Sequence, residues 1–369
     1  LDDADLHDRV PSRPSRSLTP WSVGRFVASV VLAALALYVV AGRRAELSAA
    51  GNYLGRIEPG WVVLAIALEA GSVIAFAWLQ RALIRSGGVS VPVRTLVAIT
   101  LAGNSINNSL PAGPAWASYF AFRQYRRQGA DATLSAWVLL GVLLASSATL
   151  ALLAAIGLVV ALLSGSGSFG IADTLVSVVL VIVAATMATL ALLHRRHALE
   201  GALTRVLLLS KRFVRRPSGD PAELAGSVAE RLRSLSFSRS ASVKSGGWAM
   251  ANWVTDLGAL VASFAAVGVP VPWAGILLAY GAGQLAANLP VTPGGLGVVE
   301  GSLEVALVAY GGSQASTVAA VLLYRLVSFW LLLPVGWVAW FGIHLSERRA
   351  ERMAPSGEHL GMFVSEVEA

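Results

Sequence analysis

Five ionisable side chains sit where such groups are expensive. Glu69, Asp256, Glu300, Glu304 and Arg325 all fall inside otherwise apolar stretches of a 369-residue chain. At the centre of a lipid-embedded helix each costs about 2.5–3.5 kcal/mol on insertion scales. Such a group persists when it faces a polar cavity, pairs with an opposite charge, or does both. Glu300 and Glu304 are four residues apart and share one helix face. Arg325 lies about a third of the way into the last apolar run, so a pair with Glu300 or Glu304 is expected. Asn252 and Asp256 share a second face, although Asp256 is also placed to sit at a membrane boundary; with Glu69 they form a secondary set of candidates.

Two interrupted segments accompany these charges. Residues 91–127 begin as a helix, break at 107–114 (Asn-Asn-Ser-Leu-Pro-Ala-Gly-Pro) and resume. Residues 272–311 do the same, breaking at 288–295 (Asn-Leu-Pro-Val-Thr-Pro-Gly-Gly). Both read as helix, Asn, Leu-Pro, Gly, helix. Each arm is too short to cross a bilayer alone. Pro111, Pro114, Pro290 and Pro293 lack an N–H and so help end one arm and start the next. Gly113, Gly294 and Gly295 permit the turn. A break of this kind leaves N–H and C=O groups that survive in a membrane only inside protein or against a polar cavity. The free N–H groups opening each second arm would favour an anion such as a phosphate. The plainer reading is that Pro and Gly merely kink ordinary spans, as they often do in membrane helices.

The elements that position these residues follow from composition. The chain is 56% hydrophobic and only 13% charged, against roughly 25% charged in a soluble domain. Apolar runs near residues 23–42, 60–83, 132–163, 174–193, 246–268 and 317–344 each approach or exceed the roughly 20 residues a helix needs to cross a bilayer. The expected architecture is an all-α integral membrane protein. It has about six transmembrane helices and two broken re-entrant helical hairpins. A disordered cytoplasmic tail (1–20) precedes a polytopic membrane domain (21–345), which includes a basic loop at 194–245, and a second cytoplasmic tail (346–369) follows.

Charge sets the expected orientation. With the N-terminus inside and each hairpin returning to its own side, most of the 28 Lys and Arg fall on the cytoplasmic face. Arg43 and Arg44 fit poorly. Three spans then separate the hairpins, so they enter from opposite faces. That is the sequence mark of an inverted repeat, in which paired broken helices point to a substrate site near the midplane. The candidate substrate-binding residues are Asn108, Pro111, Gly113, Asn288, Pro293, Gly294, Gly295, Glu300, Glu304 and Arg325, with Glu69, Asn252 and Asp256 behind them. Structurally, Arg325 and the glutamates brace the second hairpin. Functionally, they contact a lipid head group or carry a coupling proton. The two roles are compatible.

Several classes recede. There is no Cys, and the five His lie in tails or at the ends of apolar runs, so neither a cofactor nor a metal site is expected. The net charge of +7 fits loops facing anionic lipid better than nucleic-acid binding. No phosphate-binding loop signals direct ATP use. The Trp residues, Trp248 and Trp253 among them, suit interfacial anchoring.

The segment from Asn288 to Gly301, with its Pro-Gly-Gly-x-Gly-x-x-Glu signature, followed by Leu323-Tyr324-Arg325-Leu326, resembles the lysylphosphatidylglycerol synthase transmembrane-region family. That family includes the flippase half of the multiple peptide resistance factor. The resemblance covers most of residues 20–345 and implies an inner-membrane protein that flips lipids. The chain departs from the family pattern in two ways. A soluble synthase domain is not expected after the last span, and neither is synthesis of aminoacyl lipid. Residues 136–150 carry no charge where many relatives do, which argues against a lysyl-lipid cargo and leaves a polyprenyl-linked sugar open.

Three functions are therefore carried forward. The first is a non-enzymatic flippase for a phosphate-bearing phospholipid or polyprenyl-phosphate-linked sugar. The second is a non-transporting partner or scaffold of a lipid-linked glycosyltransferase or synthase, and the third a membrane enzyme acting on a lipid head group. A homo-oligomer is compatible with each. The expected location is the plasma (inner) membrane, with both termini cytoplasmic.

Overall fold

The computed structural model describes residues 57–110, 112–164, 239–287 and 293–353. Every regular element among them is helical. The elements are α1 (Pro59–Ser86), α2 (Val93–Ser109), α3 (Gly113–Arg127), α4 (Ala132–Ser164), α5 (Arg239–Ala266), α6 (Ile276–Ala287), a 3₁₀ turn (Pro293–Gly295), α7 (Val298–Ala309), α8 (Gln314–Arg325), a π-helical segment (Leu326–Leu331) and α9 (Leu332–Met353).

Among the described residues, four helices are long and apolar enough to cross a membrane: Pro59–Ser86, Ala132–Ser164, Val243–Ala266 and Gln314–Arg349. They match four of the six expected spans. The other two, near 23–42 and 174–193, lie outside the described residues, as do Pro111 and Asn288.

Helix ends differ from the hydropathy boundaries in three places. The basic loop expected to run to 245 already gives way to helix at Arg239. The tail expected from 346 stays helical to Met353. Hydropathy marks where lipid begins and ends, whereas the backbone continues its hydrogen-bond ladder into water. The first break is also shorter than 107–114. Asn107 and Asn108 belong to the last turn of α2, and Leu110 still donates its N–H to the Ile106 carbonyl. The helix yields only next to Pro111, whose ring disfavours an α conformation in the residue before it.

Helices α1 and α5 run antiparallel along their whole length. Glu58 N–H meets the Ala266 carbonyl at one end, and Trp78 stacks on Trp248 at the other. Between them a Cβ placed at Gly71 would touch Thr255, and one at Gly258 would touch Leu68. Small residues at such crossings let helix backbones approach in a medium that gives no hydrophobic drive to associate. Asn252 joins the same pair, donating to the Ser72 carbonyl and hydroxyl at 3.1 and 2.7 Å.

The second interrupted segment is a helical hairpin. Gly275 of the loop lies against Tyr310, Gly283 of α6 against Leu303 of α7, and Gly295 against Ala287, so the two arms run antiparallel. In the first, α3 folds back on α2, and Gly113 sits so close to the Asn107 carbonyl that no Cβ fits. Ala112 between them is left-handed (φ 55°).

The last membrane rod is not uniform. Pro334 cannot return an N–H to the preceding turn, and the helix widens into the π segment just before it. Segments of this kind recur at functional sites.

Candidate functional site

Two polar centres are built on this scaffold. The first lies where the breaks meet. A Cβ placed at Gly294, in the second break, would stand 3.3 Å from Asn108 Cβ at the end of α2, and would also strike the Phe329 ring of the π segment. Gly294, Gly295 and Gly297 all have positive φ (62°, 68° and 80°), so this backbone needs glycine for conformation as well as for space. Arg325, at the end of α8, reaches into the same junction. Its Nε donates to Glu300 Oε1 at 2.6 Å, its Nη2 donates to the Gly294 carbonyl at 3.2 Å, and its guanidinium lies 4.5 Å from the Phe329 ring centre.

Glu300 works in two directions. Its Oε2 accepts from Gly297 N–H at 2.7 Å, capping the first turn of α7. Its Oε1 holds Arg325. The acid therefore ties the start of α7, the glycine turn and the last rod together. Glu304, one turn on, is buried in the same helix at 7% exposure. At the edge of the junction Asn107 donates to Asn108 Oδ1, and Trp337 of α9 donates to Ser109 Oγ at 3.2 Å.

The second centre surrounds Asp256, which is 8% exposed in the middle of α5. Its Oδ2 accepts from the Tyr280 hydroxyl at 2.6 Å and from Gln284 Nε2 at 3.0 Å. Its Oδ1 accepts from the Tyr324 hydroxyl at 2.9 Å. Glu69 of α1 faces the same carboxyl group. Tyr324 and Arg325 are adjacent in α8, so one helix turn links the two centres.

With this geometry in hand, the chain can be set beside known proteins. The family model for the lysylphosphatidylglycerol synthase TM region matches residues 26–336. The chain belongs to that family. It is also similar to a UPF0104 membrane protein of Methanothermobacter thermautotrophicus, 25% identical over 334 residues, spanning 88% of this chain and 96% of that one. The family is one of membrane proteins associated with lipid handling.

Measured against the sequence expectations, the fold brings Asn108, Gly294, Glu300 and Arg325 together. Gly113 closes the first hairpin, and Pro293 opens the 3₁₀ turn. The expected pairing of Arg325 with a glutamate falls on Glu300. Asp256 is buried where four helices meet. Asn252, expected on its face, tethers α1 instead. Glu69, another of the secondary candidates, lies against Asp256. Sequence reasoning missed Tyr280 and Gln284. They stand four apart on α6, one helix face, with nothing apart from their polarity in an apolar stretch to mark them. Trp253 is likewise internal: its indole donates to the Ser146 carbonyl at 2.9 Å and its ring packs edge-on to Tyr280.

Proposed function

We propose that this protein is a lipid translocase. It carries a phosphate-bearing head group of a phospholipid or polyprenyl-linked glycolipid between leaflets while the acyl or prenyl tails stay in lipid. The observation that carries this reading is the meeting of the two breaks, Asn108 against Gly294, with Arg325 at the junction. Interrupted helices at membrane depth need polar surroundings, and pairs of them frame the substrate site in transporters built from inverted repeats. In this reading the hairpins dip in from opposite faces.

The chemistry is an exchange of anions. Arg325 holds a carboxylate at rest. A lipid phosphate offers the same guanidinium a bidentate partner, and its arrival displaces Glu300, loosening the start of α7 and the turn before it. No covalent step is involved. The plasma-membrane location and cytoplasmic termini belong to the same proposal and rest on the distribution of Lys and Arg.

The test uses purified protein in phosphatidylethanolamine vesicles carrying labelled phosphatidylglycerol. The wild type should move the label between leaflets faster than empty vesicles, and Arg325→Ala and Glu300→Gln should slow it. Wild-type rates equal to empty vesicles across phosphatidylglycerol and polyprenyl-phosphate probes would remove the basis for the proposal.

A further inference from the structure

The Asp256 centre is a set of acceptors short of one donor. Tyr280, Gln284 and Tyr324 supply three hydrogen bonds to Asp256. Glu69 lies against the same carboxyl group, is only 6% exposed, and its Oε2 meets no donor among the described residues. Two carboxyl groups in contact, away from water, with no donor between them, form an arrangement that a single hydrogen nucleus completes: placed on either carboxyl it turns the contact into an O–H···O bond. Among the described residues no other charged donor reaches it. Helix α1 contributes Glu69, α5 Asp256, α6 Tyr280, and α8 Tyr324 and Arg325. Residues 132–164, the whole of α4, carry no charged residue. Arg325 spends its Nε on Glu300 and its Nη2 on the Gly294 carbonyl.

We infer that Glu69 and Asp256 form an exchangeable proton-binding site. Its assignment as the coupling site of transport rests on the translocase reading; its occupancy does not. The route to the junction is short. Loss of the proton leaves two carboxylates in one buried place, and the added negative charge draws on Arg325, which sits next to Tyr324 in α8. That pull competes with Glu300 for the guanidinium and so loosens the same brace that an arriving phosphate loosens. Proton release and phosphate capture then act on one ion pair from opposite sides.

The test is infrared spectroscopy of the purified full chain in detergent, with no lipid substrate, so its outcome is independent of whether lipid moves. The wild type should show a protonated-carboxyl C=O stretch at neutral pH that shifts in D₂O and is lost as pH rises. Glu69→Gln should remove or displace that band, and the double variant E69Q/D256N should abolish the pair's share of it. Tyr324→Phe, which keeps both acids, covers the case in which the double variant does not fold. It removes one donor to the anion and should make the band persist to higher pH. A wild-type spectrum without such a band, or one unchanged in both the double variant and Tyr324→Phe, overturns the inference. A band that disappears only when a lipid ammonium head group is added would instead mark a cation site and also overturn it.

Discussion

Removing one partner from the Arg325–Glu300 pair isolates the contact that holds the second hairpin to the last rod. Glu300→Gln keeps the shape of the side chain and an acceptor for Gly297 N–H but deletes the charge facing Arg325. Taking one partner from a buried ion pair costs about 3–5 kcal/mol, mostly because the other charge is left uncompensated. The Glu300 side chain is 21% exposed and that of Arg325 10%, so water reaches the pair and the expected loss is about 3 kcal/mol, the lower end of that range. Part of the arginine's environment survives in this variant: the Gly294 carbonyl at 3.2 Å and the Phe329 ring at 4.5 Å. Arg325→Met removes all three partners and should cost somewhat more. The double variant should lose less than the two single losses added together, with a coupling of about 2 kcal/mol, inside the 0.5–3 kcal/mol found for residues in contact. Unfolding midpoints of the purified proteins in mixed micelles give the four corners of the cycle. Losses that add to within about 0.5 kcal/mol, the agreement found for independent sites, would show that the ion pair does not hold the hairpin and would refute the reasoning.

The first hairpin supplies two opposed tests in neighbouring residues. Gly113→Ala drives a methyl group into the Asn107 carbonyl. It should destabilise the protein by about 1–3 kcal/mol, the usual cost of overpacking, read as a fall in melting temperature. Ala112→Gly should raise that temperature. It relieves the left-handed φ of 55°, a conformation that costs an L-residue about 1–2 kcal/mol, less what glycine loses in chain entropy. Asn252→Ala breaks both bonds to Ser72 and should cost about 1–2 kcal/mol. Because it touches neither polar centre, lipid movement measured at a temperature where the variant remains folded should stay at the wild-type rate.

Some of this could be read directly from residue types. The apolar runs announced the spans because lipid solvates each side chain separately, and a run of about 20 such residues has only one economical conformation in a bilayer. The Leu-Pro and Pro-Gly-Gly sequences announced the breaks because proline and glycine act on their own backbone and that of their immediate neighbours. Where the reading slipped, the cause was equally local. Asn107 and Asn108 look like turn residues, yet the helix ran through them until Pro111 stopped it.

What the sequence determined by itself, then, is a helical membrane chain with two interruptions and a small number of costly charges. It also marked Arg325 as a charge that must find a partner or a polar cavity. Only the tertiary structure decided that the interruptions meet, Gly294 against Asn108, and that Glu69, Asp256, Tyr280, Gln284 and Tyr324 converge from four helices. Asp256 and Tyr324 are 68 positions apart. No local preference links residues so distant. Their meeting depends on how closely α1, α5, α6 and α8 approach, which is set by packing such as that at Gly71 and Gly258 between α1 and α5, and that packing is a property of the assembled helices rather than of any one of them.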